Sequence, residues 1–169
     1  MSDHLEFEQW VPFPLNRVFT FFSNPENLPR IMPVRSGTRL ISVDRRSPPD
    51  AASQEAGLSA AGVGSTILTS FLVFPPLPLR GRWLSRITEF EWNHHFADVQ
   101  DEGPFKSWHH LHQFESESKA GVAGTTIRDV IDYEIGFGVL GSLADALFVR
   151  RQMENTFAER QRRLPELLQ

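Results

Sequence analysis

Hydrophobic and polar positions alternate with a period of two over most of this chain, then switch near Leu140 to a helical period. Residues 3–11 (DHLEFEQWV) set Leu5, Phe7 and Gln9 against Glu6, Glu8 and Trp10, which predicts a half-buried strand ended by Pro12 and Pro14. Asn16 stands where it can cap a short helix carrying Val18, Phe19, Phe21 and Phe22. Ser23-Asn24-Pro25 then breaks that helix and starts a second one, running to about Ile31, with the cap just before the proline. Residues 37–44 read as a strand, and so do 65–74, 80–91, 95–102, 106–116 and 124–136, joined by turn-like connectors. Consecutive strands with short connectors imply an antiparallel meander. From Leu140 to Leu168 the apolar positions Leu143, Ala146, Leu147, Met153, Phe157, Leu164 and Leu168 recur at helical spacing. That spacing predicts a helix of ~30 residues, roughly 45 Å long.

The order is strand, two short helices, a long antiparallel sheet and one amphipathic helix, an α+β arrangement. A curved sheet of about seven strands cannot bury its concave face alone. The terminal helix is its natural cover, and the grip leaves room for a hollow between the two. Segment 45–64 (RRSPPDAASQEAGLSAAGVG) has no periodicity and reads as an exposed, mobile loop, with a helical turn allowed around Ser53–Ala60. No internal repeat is evident, and a chain of 169 residues fits a single domain over 1–169.

Residues 105–114 (FKSWHHLHQF) carry the most informative alternation. In a strand, Trp108, His110, His112 and Phe114 share one face, while Ser107, His109, Leu111 and Gln113 share the other. A strand packed only for stability would put Val, Ile or Leu on its inner face. Imidazoles set between aromatic rings suit the wall of a cavity instead.

Composition narrows the classes. Phe occurs 14 times against a single Tyr, so the aromatic content is mostly apolar, as an interior or an apolar cavity requires. A net charge of −4 argues against a general nucleic-acid binder. Arg150, Arg151, Arg160, Arg162 and Arg163 cluster in the last helix, where they read as a solvated face complementing the helix dipole. The absence of cysteine excludes disulfides, thiolate catalysis and Cys-based metal sites. With no signal-peptide pattern at the start and no run of ~18 apolar residues, a cytoplasmic protein without an integral membrane segment is expected.

Two stretches resemble a known family. PFPLNRVFTFFSNPENLPRIMP looks like the opening of SRPBCC-superfamily domains, which include START-like, pollen-allergen-like and polyketide cyclase/dehydrase proteins. The half from Arg82 onward, with WLSRITEFEWNHHFADVQDEGPFKSWHHLHQFE and GTTIRDVIDYEIGFGVLGSLADALF, resembles a bacterial subgroup more closely. That subgroup is often labelled a cell-division inhibitor or cyclase-like protein. The resemblance implies a helix-grip fold with an internal cavity for lipids, polyketides or other hydrophobic molecules.

If the face of His110 and His112 lines such a cavity, strand register names its companions. These are Phe96 and Asp98; Ile127, Asp129, Ile131 and Tyr133; Trp83, Ser85 and Ile87; and, more weakly, Phe71 and Val73. Leu143, Leu147, Met153 and Phe157 would close it from the helix, and Phe105 would gate an opening. Three roles compete for His110, His112, Asp98 and Asp129. They can form a satisfied buried network, orient the carbonyl or hydroxyl of a ligand in an apolar pocket, or supply a His–Asp general acid/base as in a cyclase or dehydratase. His110-x-His112 with an Asp is also stereochemically able to hold a metal ion, although no cofactor or metal is expected. The partner expected is a hydrophobic small molecule. A homodimer is left open, as is a regulatory protein-interaction domain with a small cavity. His94-His95 reads as an exposed turn, and the glycines of 136–141 as a strand-to-helix corner rather than a phosphate site. No GxSxG nucleophile motif is present.

Overall fold

Strand β1 (Asp3–Val11) is followed by helix α1 (Leu15–Ser23), a 3-10 turn at Pro25–Asn27 and helix α2 (Leu28–Ile31). Strands β2 (Arg39–Asp44), β3 (Thr66–Leu72), β4 (Arg80–Glu91), β5 (His95–Glu102), β6 (Ser107–Lys119) and β7 (Val122–Glu134) come next, and helix α3 (Arg150–Leu167) ends the chain. This computed structural model describes residues 2–49, 59–73, 77–136 and 148–169. The strands form one seven-stranded sheet in the order β1-β7-β6-β5-β4-β3-β2, and every neighbouring pair is antiparallel. It is the helix-grip α+β arrangement, with no described helix long and apolar enough to cross a membrane.

The turn chemistry after β1 differs in one respect from the sequence reading. Helix α1 begins at Leu15 with Pro14 at the N-cap, so Asn16 lies inside the helix and caps nothing. Proline's fixed φ suits a helix entrance, and its missing N–H costs nothing there. Asn24 does cap the next turn, its side chain accepting the Glu26 N–H at 3.1 Å. The apolar side of α1 puts Val18, Phe19 and Phe21 into the core. There Phe19 meets Phe96 and Phe114 of the sheet edge-to-face.

Both ends of the 45–64 segment are anchored, against the expectation of an exposed loop. Ala60 and Ala61 are buried, and the Ala61 N–H donates to the Ser23 carbonyl. Arg46 and Ser65 bond each other in both directions. Small side chains let this backbone lie against α1, which an alanine-rich composition permits but does not announce. The turn considered around Ser53–Ala60 falls mostly outside the described residues.

In β4 the inward alternation runs through Trp83, Ser85 and Ile87. A register shift between Ile87 and Glu89 then resets the phase, so that Phe90 packs against the core. A bulge of this kind bends the strand and lets one sheet wrap a helix.

Helix α3 contributes Phe157, Arg160 and Leu164 to the interior. Its 18 described residues make it roughly 27 Å long, and the predicted first turns, with Leu143, Ala146 and Leu147, lie outside the described residues. Pro165 stands inside its last turn and has no N–H to offer the Gln161 carbonyl four residues back. The Gln9 side-chain amide donates to that carbonyl at 2.7 Å, and Gln161 donates its own amide to the Glu8 carbonyl at 3.2 Å. Through this exchange α3 is fastened to β1.

Candidate functional site

Register alone assembles the centre of the concave face. In the pairing of β5 with β6, Asp98 stands opposite His110 and Phe96 opposite His112. In the pairing of β6 with β7, His112 stands opposite Asp129, and β1 adds Phe7 beyond it. Two carboxylates therefore flank two imidazoles in contact, whose centroids are 3.8 Å apart with their planes tilted by 42°.

Both rings converge on one oxygen. His110 Nε2 donates to Asp129 Oδ1 at 3.0 Å. His112 Nδ1 lies 2.6 Å from the same oxygen, in close contact but bent away from hydrogen-bond alignment. On the other side, His110 Nδ1 and His112 Nε2 are 3.8 and 4.0 Å from Asp98 Oδ1. The side chains are 7% (His110), 8% (His112), 10% (Asp129) and 15% (Asp98) exposed, so all four titratable groups sit in the interior.

Helix α3 adds a group that sequence reasoning assigned elsewhere. Arg160 is only 9% exposed, and its guanidinium lies 4.5 Å over the Phe157 ring. Its positive charge acts on both Asp129 and Asp98. The solvated-face reading holds for Arg151 and Arg162, which are exposed, but fails at Arg160. It also fails in part at Arg150 and Arg163, which donate to the carbonyls of His4 and Met32. A signal was present: Phe157, Arg160, Leu164 and Leu168 fall at helical spacing on one stripe, which makes Arg160 a charge in an apolar row.

The two carboxyls are driven apart. Burial pushes Asp98 above the usual carboxylate range, against the attraction of His110 and Arg160. Burial acts on Asp129 in the same sense, but the pull of His112, the His110 N–H and Arg160 together hold it well below that range. Burial also pushes the His110 imidazole down to about 4, helped by His112 and opposed by Asp129 and Asp98. One carboxyl able to keep a proton thus faces one that stays ionised.

Beyond this polar centre lies a ring of aromatics. Trp83 meets Trp108 edge-on at 4.9 Å and Phe105 at 5.6 Å, while Phe105 meets Tyr133 at 5.6 Å. Phe71 reaches Trp83 from β3. Phe105, expected at a gate, is wedged among these rings and held by both polar groups of the Gln100 side chain. Met153 and Phe157 pack on the same side of the sheet with Leu5, Ile131 and Tyr133. Ile127 is buried in the other half of the core with Ile87 and Phe96. Ser85 is half-buried on β4, and Val73 is half-buried past the end of β3. Leu143 and Leu147 lie outside the described residues. His94 is exposed as expected, whereas His95 opens β5 and is only 23% exposed. Beside Asp129 and Arg160, walled also by Gln9 and Phe157, is a hollow of about 10 Å³, the room of one water.

With this geometry in view, the comparisons place the chain. Residues 11–162 match the family described as polyketide cyclase / dehydrase and lipid transport. The protein belongs to that family, within the SRPBCC superfamily. Among solved structures, a protein from Thermus thermophilus shares 17% identity with a TM-score of 0.65, covering 98% of this chain and 97% of its own. A protein from Chromobacterium violaceum shares 14% identity at a TM-score of 0.66, covering 98% and 96%. Norcoclaurine synthase from Thalictrum flavum shares 12% identity at a TM-score of 0.61, covering 97% and 87%. At these identities the likeness is one of fold. No curated protein matches the sequence.

Proposed function

We propose that the protein binds a hydrophobic or aromatic small molecule between the sheet and α3, and that the buried polar centre holds a polar group of that molecule. The observation that carries this reading is the gathering of Asp98, His110, His112, Asp129 and Arg160 inside the grip. Stability alone is a poor reason for such a cluster, because replacing a buried ionic group by apolar side chains is often neutral or stabilising by about 1–4 kcal/mol. A ligand carbonyl or hydroxyl gives the five groups a use. Trp83, Phe96, Phe105, Trp108 and Tyr133 offer the apolar wall, worth ~25 cal/mol per Å² covered. From the helix side Met153 and Phe157 complete it. Native mass spectrometry of freshly purified protein tests the idea first: a small molecule carried through purification would support it, and the bare chain mass alone would count against it. Titration of a fluorescent aromatic probe tests the anchors: His110→Ala and His112→Ala are expected to weaken binding about tenfold, and unchanged affinity would reject them as anchors.

The opposed behaviour of Asp98 and Asp129 favours a second reading, a cyclase/dehydratase-like enzyme. Carboxyls pushed apart in this way are how acid and base roles are divided within one site. His110 or His112 would then move a proton at an enolisable carbonyl, with Asp129 fixing the ring. Variants that bind the probe normally yet lose turnover of a polyketide-like substrate would favour it over simple binding.

A further inference from the structure

We propose that Asp98, His110 and His112 form a binding site for a divalent first-row transition ion such as zinc. The inference uses the same polar centre as the ligand reading but does not depend on it, since an ion can sit there whether or not an organic molecule binds.

Asp129 decides which ring nitrogens are free. A carboxylate oxygen that accepts from His110 Nε2 at 3.0 Å fixes the proton there, and its negative charge 2.6 Å from His112 Nδ1 favours a proton on that nitrogen although the N–H is not aligned with it. In neutral rings the lone pairs then fall on His110 Nδ1 and His112 Nε2, both on the Asp98 side. They converge on a single oxygen, Asp98 Oδ1, at 3.8 and 4.0 Å. Those separations are beyond hydrogen-bond reach, so a proton on Asp98 cannot satisfy either ring. Three electron-rich atoms facing one another repel, and a cation among them turns all three into ligands.

The spacing is close to what an ion needs. One ligand atom from each of the three residues lies within 4.8 Å of the others. A tetrahedral ion with bonds of 2.0–2.1 Å needs ligand–ligand edges of roughly 3.4 Å, a contraction of about half an ångström along the two Asp98 edges. The surroundings supply what first ligands require. Asp129 orients the His110 imidazole in the carboxylate–histidine–metal manner, and its Oδ1 also lies 2.6 Å from His112 Nδ1. Arg160 acts on both carboxyls, more strongly on Asp129 than on Asp98, so Asp98 is the less compensated of the two. Two imidazoles and one carboxylate are a donor set for zinc or a neighbouring metal, and three protein ligands leave a position for water or a ligand oxygen.

An exposed grouping of Glu91, His94 and His95 can also attract metal and has to be removed from the test. Untagged protein carrying His94→Ala and His95→Ala, stripped with chelator, is titrated with Co(II). The expected result is one bound equivalent, the intense visible bands of a four-coordinate Co(II) centre, a raised melting temperature and displacement by zinc. Adding Asp98→Asn or His110→Gln should abolish the bands and the thermal shift while the far-UV circular dichroism stays native. Absence of bands and of any thermal shift in the His94→Ala/His95→Ala protein would overturn the proposal, whatever the folding of the further variants. So would bands that survive both Asp98→Asn and His110→Gln.

Discussion

Gln9 hands its side-chain amide to the one carbonyl that Pro165 cannot serve, that of Gln161, at 2.7 Å. A proline in the last turn of α3 would otherwise leave a half-buried acceptor open, and the first strand of the chain fills it.

Gln9→Leu should therefore destabilise the protein by about 1–3 kcal/mol, the cost of a stranded polar group. In a Pro165→Ala background residue 165 regains its N–H and can bond Gln161 itself, so the same substitution should cost less. Urea denaturation of the four proteins gives the coupling directly. A Gln9→Leu effect of equal size in both backgrounds would show that the amide's role lies elsewhere.

Arg160 offsets two interior carboxyls, and Arg160→Met should cost about 3–5 kcal/mol by leaving them uncompensated. Arg160→Lys should recover only part of this, since an ammonium is a point charge without the planar guanidinium that lies over Phe157. Arg162→Met, on the exposed side of the same helix, should stay within roughly 0.5 kcal/mol of the parent. Chemical denaturation of the three variants separates the interior role from a general effect of basic charge.

The protonation pattern predicts acid sensitivity. His110 holds a proton near pH 6.5 when unfolded but only below about 4 when folded, so the unfolded chain binds more protons between these values. Its share of stability is complete above pH 6.5 and is lost as pH falls toward 4. Asp129, depressed in the fold, acts in the same direction at lower pH. Asp98, raised in the fold, acts in the opposite direction and loses its contribution as pH climbs past the ordinary carboxylate range. Melting temperatures between pH 7 and 4.5 should fall less steeply in His110→Gln than in the parent, and more steeply in Asp98→Asn. A His110→Gln profile as steep as the parent's would remove His110 from the explanation.

Gly124 allows a close approach at the β1–β7 edge. A Cβ there would come within 2.4 Å of the Val11 carbonyl and 2.5 Å of the Trp10 ring. Gly124→Ala should destabilise by about 1–3 kcal/mol through displaced backbone, which a thermal melt would register. Gly121, with open space around it, offers a poor control because its φ is +79°, a conformation that Ala itself resists.

Much of this was legible in the chain. Strand-like runs bounded by turn residues located all seven strands, and where a strand buries one face, as β7 does, the pleat forces a period of two. The same alternation placed Trp108, His110, His112 and Phe114 on one face, and register then brought Asp98 and Asp129 beside the imidazoles. Arg160 escaped because four other arginines surround it in sequence and only its place on the apolar stripe marks it as different. The bulge in β4 and the anchoring of Ala60 and Ala61 depend on contacts between distant segments, to which local pattern is blind. Pro14 displaced Asn16 as the helix start because a capping side chain is only one way to begin a helix.

The sheet order carries a consequence for how the molecule is made. Strand β1 leaves the ribosome before the other six strands, yet its neighbour is β7, with Asp3 opposite Tyr133. The bonds of Glu8 and Gln9 reach α3, which emerges after all seven strands. Strand β1 must therefore wait through the synthesis of the five strands between before its ladder can form, and pairing across such a separation is slow. Until then the Leu5 and Phe7 side of β1 has no cover, and the histidines lack both Asp129 and Arg160. The polar centre is complete only once the last helix is free to close.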